Sequence, residues 1–269
     1  ALFFAHNALA SVDMMVRMAV HGWLILELSD DSAFWVGIYA LILGAGQLIF
    51  SMFSGALCDR FPPRNLLLVE GTLGAILAIT MMIGTYTGLI NLGLALGVAF
   101  IVGCSRATRF TAQQRFIYDL VGPNNLVNGI SLSRLSVTPM MIMGSITAGA
   151  LIQWGGIWSA YAFLAVSILL SLPFLLLIKV KQTNVGTKSN LFKETLEGIQ
   201  YAIKNKSLLT LFTFSVVMEG LGFAFLVMIP VMAKNVLMVG AIGMGLLQAG
   251  TGTGMLLANL ARATVGDRF

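Results

Sequence analysis

Long apolar stretches alternate with short polar turns along most of the chain. A helix that crosses a bilayer needs about 20 predominantly apolar residues, and eight stretches reach that length. The pattern therefore predicts an all-α membrane protein. We expect its helices at about residues 3–28, 33–57, 65–86, 91–110, 126–154, 158–178, 207–233 and 238–261.

The longest polar stretch, residues 179–206, separates the first six predicted helices from the last two. It holds six lysines, and apolar residues recur in it at helical spacing between Leu191 and Ile203. Such a pattern is typical of an amphipathic helix that lies on a membrane surface. We therefore predict a six-helix transmembrane bundle at residues 1–178, a cytoplasmic linker at 179–206, and two helices of a second, incomplete bundle at 207–269.

Composition disfavours several other classes of protein. The chain is 58% hydrophobic and only 10% charged, whereas a soluble domain typically carries about 25% charged residues. The net charge of +5 comes without a basic stripe interleaved with aromatic residues, which disfavours nucleic-acid binding. Cys58 and Cys104 lie far apart and are expected to be free thiols. The sequence shows no set of residues with catalytic or metal-binding spacing, so an enzyme is not predicted.

Basic residues collect in alternate turns, and this predicts the orientation of the chain in the membrane. The turns after the even-numbered helices carry nearly all of the lysines and arginines, the opposite turns carry only Lys234, and residues 27–32 form an acidic turn. Short cytoplasmic loops are enriched in Lys and Arg. We therefore predict a multi-pass membrane protein with a cytoplasmic N-terminus.

The first predicted helix carries Asp13 and Arg17, which lie one turn apart on one face and can pair. Ionisable residues at membrane depth are costly and usually face the bundle interior or a watery cavity. Both a structural ion pair and a role in transport stay open for these two residues. His6 is expected at the membrane interface, and a cavity-lining position is considered but not favoured for His21. Glu70 is expected to be an interfacial acid that pairs with an arginine of a nearby loop.

The turn after the second predicted helix combines a glycine, an acid, two arginines and two prolines. Gly55, Asp59, Arg60 and Arg64 match the signature loop between helices 2 and 3 of the major facilitator superfamily, and the turn resembles that loop. An ordinary hairpin with cytoplasmic arginines is the alternative. The two prolines stand where the family often has a glycine or a polar residue.

The resemblance implies that this turn is part of a gate. In the family, the loop holds two halves of the transporter together in the outward-open state. Arg106 and Arg109, at the end of the fourth predicted helix, are then possible partners of Asp59.

Two features of the first two helices recur late in the chain, and the two are displaced along the sequence by nearly the same number of residues. A second copy of the motif, Gly266-Asp267-Arg268, follows the eighth predicted helix as the first copy follows the second helix. Glu219 lies in the seventh helix as Asp13 lies in the first. Such a repeat is typical of two parallel six-helix halves. We therefore predict a major facilitator fold with a complete first bundle, in a chain truncated after helix 8.

The fifth predicted helix carries Pro139, which should kink it, and Gly144 and Gly149, which give a smooth face for close packing. The resemblance extends over nearly the whole chain and is strongest to the branch that contains the enterobactin exporter and the macrolide and other drug efflux carriers. That branch often has Gly-Pro in helix 5, whereas here Ser145 follows Gly144. The match to the branch rests on Asp13, Trp23-Leu24, Glu27-Leu28, Arg106-Ala107, Arg109, Gln114, Asp119, Gly144 and Gly149.

The resemblance implies proton-coupled export of small amphiphilic molecules, of the drug, macrolide or siderophore type, across a bacterial inner membrane by alternating access. Asp13 and Glu219 are then the candidate proton carriers, with Arg17 tuning Asp13. The proton gradient would supply the energy, no cofactor is expected, and the partners would be a small-molecule substrate and the lipid bilayer around a monomer. A metabolite importer and a membrane remnant that does not transport are the alternatives.

Overall fold

A computed structural model describes residues 2–178, 204–211, 213–214 and 224–265 of the chain. All of the regular structure in these ranges is helical. Within the described residues, seven helices are long and apolar enough to cross a membrane, and a shorter apolar helix covers Phe225–Val236. The prediction of an all-α, multi-pass membrane protein is confirmed at this level. The predicted linker helix, Glu219 and the second motif copy at 266–268 lie outside the described residues.

The first six helices and the eighth begin and end close to the predicted positions, except at the end of the fourth. Of the seventh predicted helix, residues 212 and 215–223 lie outside the described residues, so its start stays a prediction. A short π-helical turn at Met232–Val236 continues the seventh helix. The bounds are α1 Leu2–Leu28, α2 Ala33–Arg60, α3 Pro63–Thr87, α4 Leu92–Val121, α5 Leu126–Gly155, α6 Ile157–Leu177, α7 Ala224–Val231 and α8 Gly240–Val265.

Local signals explain where these helices start and stop. Pro63 occupies the first turn of α3, where its missing N–H costs nothing. The side chain of Asn91 caps α4 by accepting a hydrogen bond of 2.8 Å from the backbone N–H of Leu94. Gly88 and Gly122 end α3 and α4 with φ angles of 71° and 72°, which residues with side chains rarely adopt.

Short turns make successive long helices antiparallel, so the turns gather at two ends of the bundle. One end carries the turns at residues 29–32, 88–91 and 237–239 and is called the Asp31 end here. The opposite end carries the turns at 61–62 and 122–125 and is called the Asp59 end.

The fourth helix corrects the sequence prediction, because α4 continues to Val121 rather than ending near residue 110. The polar residues after 110 are predicted to form a loop. In the structure, Arg109 and Gln113 instead turn inward and bond to α1, which satisfies polar groups without breaking the helix. Arg109 is therefore a helical residue inside the bundle.

The first helix is the centre of the packing. Val16, Val20 and Ile25 of α1 are completely buried, and α1 packs mainly against α5 and α6. Around it, α3 packs against α4 and α6, α2 packs against α4, and α8 packs along α5. Many apolar side chains on the outer faces are exposed, as a lipid environment requires.

The two glycines predicted to give α5 a closely packed face do so. A Cβ added at Gly144 would lie 3.3 Å from a methyl group of Val12 on α1. A Cβ at Gly149 would collide with the carbonyl oxygen of Ala241 on α8. Pro139 lies inside α5 as predicted. The α5 glycines therefore allow α1 and α8 to approach on two sides.

Candidate functional site: a buried charge cluster

Four charged side chains from three helices meet inside the first six helices. Asp13 and Arg17 come from α1, Glu70 from α3 and Arg109 from α4. Their side chains are 9% to 20% exposed. We call these four residues the buried charge cluster.

The tightest contact in the cluster is the pair predicted within α1. Arg17 Nε donates a hydrogen bond of 2.8 Å to Asp13 Oδ1, and its Nη2 lies 2.6 Å from the same oxygen. The four-residue spacing places both side chains on one face of the helix. Arg17 Nη2 also lies 3.5 Å from the carbonyl oxygen of Gly74, which links the pair to α3.

The second cation of the cluster is shared between the two acids. Arg109 Nη1 lies 3.6 Å from Asp13 Oδ2 and also 3.6 Å from Glu70 Oε1. Its Nη2 donates a hydrogen bond of 2.8 Å to the carbonyl oxygen of Ala10. The hydroxyl of Ser105 donates to Glu70 Oε1 at 3.4 Å. Glu70 thus pairs with an arginine, as predicted, but this arginine belongs to a helix interior and not to a loop.

A small cavity of about 10 Å³ adjoins the cluster. This volume holds at most about one water molecule, so the cluster has no room for a substrate. His6 lines the cavity and is 7% exposed, with its Nδ1 2.9 Å from the carbonyl oxygen of Ser171 on α6. His6 is therefore buried inside the bundle, where its ring contacts a backbone carbonyl, and its position at the membrane interface stays a prediction.

The second histidine has a packing role rather than a cavity-lining one. His21 is 2% exposed. Its Nε2 lies 3.0 Å from the carbonyl oxygen of Ala95, and its Nδ1 lies 2.7 Å from the hydroxyl of Tyr161. It therefore joins α1 to α4 and α6.

Sequence reasoning missed a second polar link between helices. Gln113 Nε2 donates to Asn7 Oδ1 at 2.7 Å, and Asn7 Nδ2 donates to the hydroxyl of Ser133 at 2.6 Å. These bonds join α4, α1 and α5. The only signal in the sequence was the presence of amides within otherwise apolar or helical stretches.

The predicted gate motif at the Asp59 end has different partners from those expected. Asp59 Oδ1 lies 2.6 Å from Arg115 Nη1, so Arg115 takes the place expected for Arg106 or Arg109. The longer α4 explains the correction, because it carries Arg115 to the end of the bundle and turns Arg109 inward. Arg64 Nε donates at 3.0 Å to the carbonyl oxygen of Leu175 on α6.

The other residues expected in or near the gate motif make fewer contacts with it. Arg60 is exposed. Gly55 is also exposed, and a Cβ added there would meet no atom of the described residues within 4 Å. Arg106 is half-buried and interacts electrostatically with Asp13 and Arg17 rather than with the motif.

At the Asp31 end, α7 and its π-helical turn contact the first two helices. Lys234 forms an ion pair with Asp31 and lies 5.5 Å from the centre of the Trp23 ring. Asn235 Nδ2 donates at 2.8 Å to the carbonyl oxygen of Asp31. A Cβ added at Gly22 would lie 2.8 Å from the ring of Pro230.

Apolar spanning helices around a buried set of ionisable groups define a multi-pass membrane protein with a polar interior site. A family model described as a transmembrane secretion effector (MFS_3) matches residues 1–269. The chain belongs to this family and is a membrane transporter of the major facilitator superfamily. The resemblance inferred from the sequence is confirmed at that level. No curated protein matches the chain.

Proposed function

We propose that the protein is a proton-coupled secondary transporter that exports small amphiphilic molecules by alternating access. It would work in a bacterial inner membrane, as the resemblance implies. Its N-terminus would lie in the cytoplasm, as the distribution of basic residues predicts. The observation that carries this proposal is the buried charge cluster, because it provides carboxylates at membrane depth whose protonation changes the pairing between helices.

The cluster supports proton coupling because a change in the charge of one member alters the ion pairs of the others. Burying charge in a membrane protein is costly, and such residues usually serve ion or proton movement. Neutralising a carboxylate beside Arg109 would leave part of the charge of that arginine unpaired and alter the contacts among α1, α3 and α4. Glu219, the second acid proposed as a proton carrier, would supply the matching carboxylate in the second half.

The contacts of α7 and α8 support alternating access. At the Asp31 end, Lys234 and Asn235 bind the turn between α1 and α2, and Gln153 on α5 accepts a hydrogen bond of 3.0 Å from the N–H of Ala241 on α8. We interpret this arrangement as a state closed at the Asp31 end. In the alternate state, these contacts would separate and the Asp59 end would close.

The gate motif would make the first six helices move as one body. The pair between Asp59 and Arg115 joins α2 to α4, and the bond from Arg64 to Leu175 joins α3 to α6. Two bonds across four helices at one end resist separation of these helices while α7 and α8 move. On this proposal, losing Asp59 affects turnover more than substrate affinity.

The choice of amphiphilic substrates rests on an apolar cavity of about 510 Å³ at the Asp59 end. This volume is within the range typical of small-molecule pockets. Its lining includes Phe3, Phe4, Ile117, Leu120 and Leu177. Such a wall suits an apolar or amphiphilic molecule that enters from the bilayer or from the end of the bundle.

The proposal is tested with the full chain in proteoliposomes under an imposed pH gradient, with ethidium as the probe. Ethidium should move up its own concentration gradient, in the direction opposite to the downhill movement of protons. Asp13→Asn should abolish uphill movement, because Asn cannot pair with Arg17 and Arg109 as a carboxylate. Asp30→Asn is the matched control, since Asp30 is exposed in the turn and Asn tolerates its φ of 52°.

Two outcomes would contradict this proposal. Uphill movement that is unchanged in Asp13→Asn would remove the cluster from the coupling mechanism. Movement of ethidium in the same direction as the protons would indicate import rather than export.

A further inference from the structure

Glu70 is a carboxylate to which the sequence assigned only an interfacial role. It lies seven residues into α3, about 10 Å along the helix at 1.5 Å per residue. Its side chain is only 11% exposed. A carboxylate at that depth is costly unless it is paired or used in function.

The two carboxylates of the buried charge cluster differ in how well their charges are compensated. Asp13 has Arg17 at 2.6 Å in addition to Arg109 at 3.6 Å. Among the described residues, the ion-pair partner of Glu70 is Arg109 alone, at 3.6 Å, and the hydroxyl of Ser105 adds a long hydrogen bond. Neutralising Glu70 therefore breaks fewer and weaker contacts than neutralising Asp13.

We propose that Glu70 is the group of the cluster that takes up and releases the transported proton, while Asp13 stays ionised and positions Arg17 and Arg109. This inference rests on the proton-coupled transport proposed above and assigns the proton to a residue. It also changes the role of Asp13 from carrier to positioning residue.

The proton step is balanced within the cluster. One proton from water binds a carboxylate oxygen of Glu70, which becomes a neutral carboxylic acid. Arg109 keeps all of its protons and pairs with Asp13 alone. On release, the proton returns to water and the ion pair between Glu70 and Arg109 forms again.

This step changes the charge of the cluster by one unit. With both acids ionised, Asp13 and Glu70 balance Arg17 and Arg109. With Glu70 protonated, the four residues of the cluster carry one positive charge in excess. Helix α6, which packs against α1 and α3, contains no Asp or Glu that could balance this charge. The other polar or titratable groups that face the cluster are Arg106 and Ser105 on α4, His6 on α1, Tyr39 on α2, and Tyr161 and Ser171 on α6.

The small cavity explains why this step would be gated. Glu70 and Arg109 both line it, and its volume of about 10 Å³ holds at most one water. A continuous water path therefore does not reach Glu70 through this cavity in the arrangement described. Proton exchange would require α1, α3 and α4 to separate, which prevents a leak.

Infrared difference spectroscopy of the purified full chain in lipid, between alkaline and acidic buffer, tests the inference. A buried carboxylic acid has a C=O stretch that differs from those of carboxylates and exposed acids. We expect such a band to appear on acidification, with one component that is lost in Glu70→Gln and kept in Glu219→Gln. The control Asp30→Asn should also keep it.

Isotope labelling keeps the test valid if Glu70→Gln fails to fold. In the unmodified chain, side-chain ¹³C-glutamate should shift the band, and ¹³C-aspartate should leave it in place. A band that shifts with labelled aspartate, that Glu219→Gln removes entirely, or that keeps its full intensity in Glu70→Gln would overturn the assignment to Glu70 and leave proton coupling intact. The absence of any titrating buried band would overturn this inference together with proton coupling.

Discussion

Gln248 on α8 is buried, and among the described residues its side chain has no hydrogen-bond partner. The residue is 2% exposed, and neither its side-chain oxygen nor its side-chain nitrogen bonds to any part of the chain that the structure describes. An unsatisfied buried polar group typically costs about 1–3 kcal/mol. Such a side chain either destabilises the protein in return for a role in function, or forms its hydrogen bonds in another state of the transport cycle.

Replacing Gln248 should therefore stabilise the arrangement described here. We expect Gln248→Leu to raise the free energy of unfolding by about 1 kcal/mol or more, because it removes the unpaired amide. Thermal unfolding in detergent measures this. The matched control is Gln153→Leu at the interface of α5 with α8, which should lower the melting temperature by leaving the N–H of Ala241 unpaired. A lower melting temperature for Gln248→Leu would contradict the prediction.

At the scale of single residues, the sequence indicated which side chains were unusual but not their contacts. The pairing of Asp13 with Arg17 followed from their spacing within one helix. The partners of Glu70 and His6 come from other helices, and helix periodicity gives no information on how α3, α4 and α6 are placed around α1. Cross-helix contacts therefore had to come from the structure.

At the scale of elements, hydropathy predicted helix positions well because the bilayer sets the length of each apolar stretch. It failed at the second half of α4, where a polar stretch is helical because its side chains bond to α1 and α2. This one error changed the predicted partner of Asp59. A helix with polar groups turned into the bundle has the same composition as a loop.

The turn between α1 and α2 carries a pair of neighbouring acids that offers an element-scale test. Asp30 and Asp31 both have positive φ angles, 52° and 61°, but only Asp31 has an ion pair described, with Lys234. An exposed ion pair is worth up to about 1 kcal/mol. Asp31→Asn should therefore lower the ratio of closed to open molecules at this end by up to about fivefold, whereas Asp30→Asn should leave it unchanged.

Distances between spin labels at the exposed positions Phe34 on α2 and Met238 before α8 measure this ratio. The Asp31→Asn distribution should gain longer distances, and lower salt should increase the difference between the variants because screening weakens. Identical distributions for Asp31→Asn and Asp30→Asn would show that the ion pair does not hold this end closed.

At the scale of the whole molecule, the family and the fold class could be predicted because motif, hydropathy and charge distribution agree on them. The buried charge cluster could be predicted only in part. Asp13, Arg17 and Arg109 are candidates from the sequence. The sharing of Arg109 between Asp13 and Glu70 depends on how three helices pack. The halves predicted from the repeat, with Glu219 and the motif at 266–268, stay predictions.

Proton movement driven by the substrate alone tests the central claim most directly. Proteoliposomes containing the full chain and a luminal pH dye are prepared at equal pH on both sides, and ethidium is added to one side only. Ethidium carries a permanent charge and does not itself exchange protons. We predict that its downhill movement drives protons in the opposite direction, with a pH change that is absent in Glu70→Gln and in protein-free vesicles. Ethidium transport with no change in luminal pH would contradict the account.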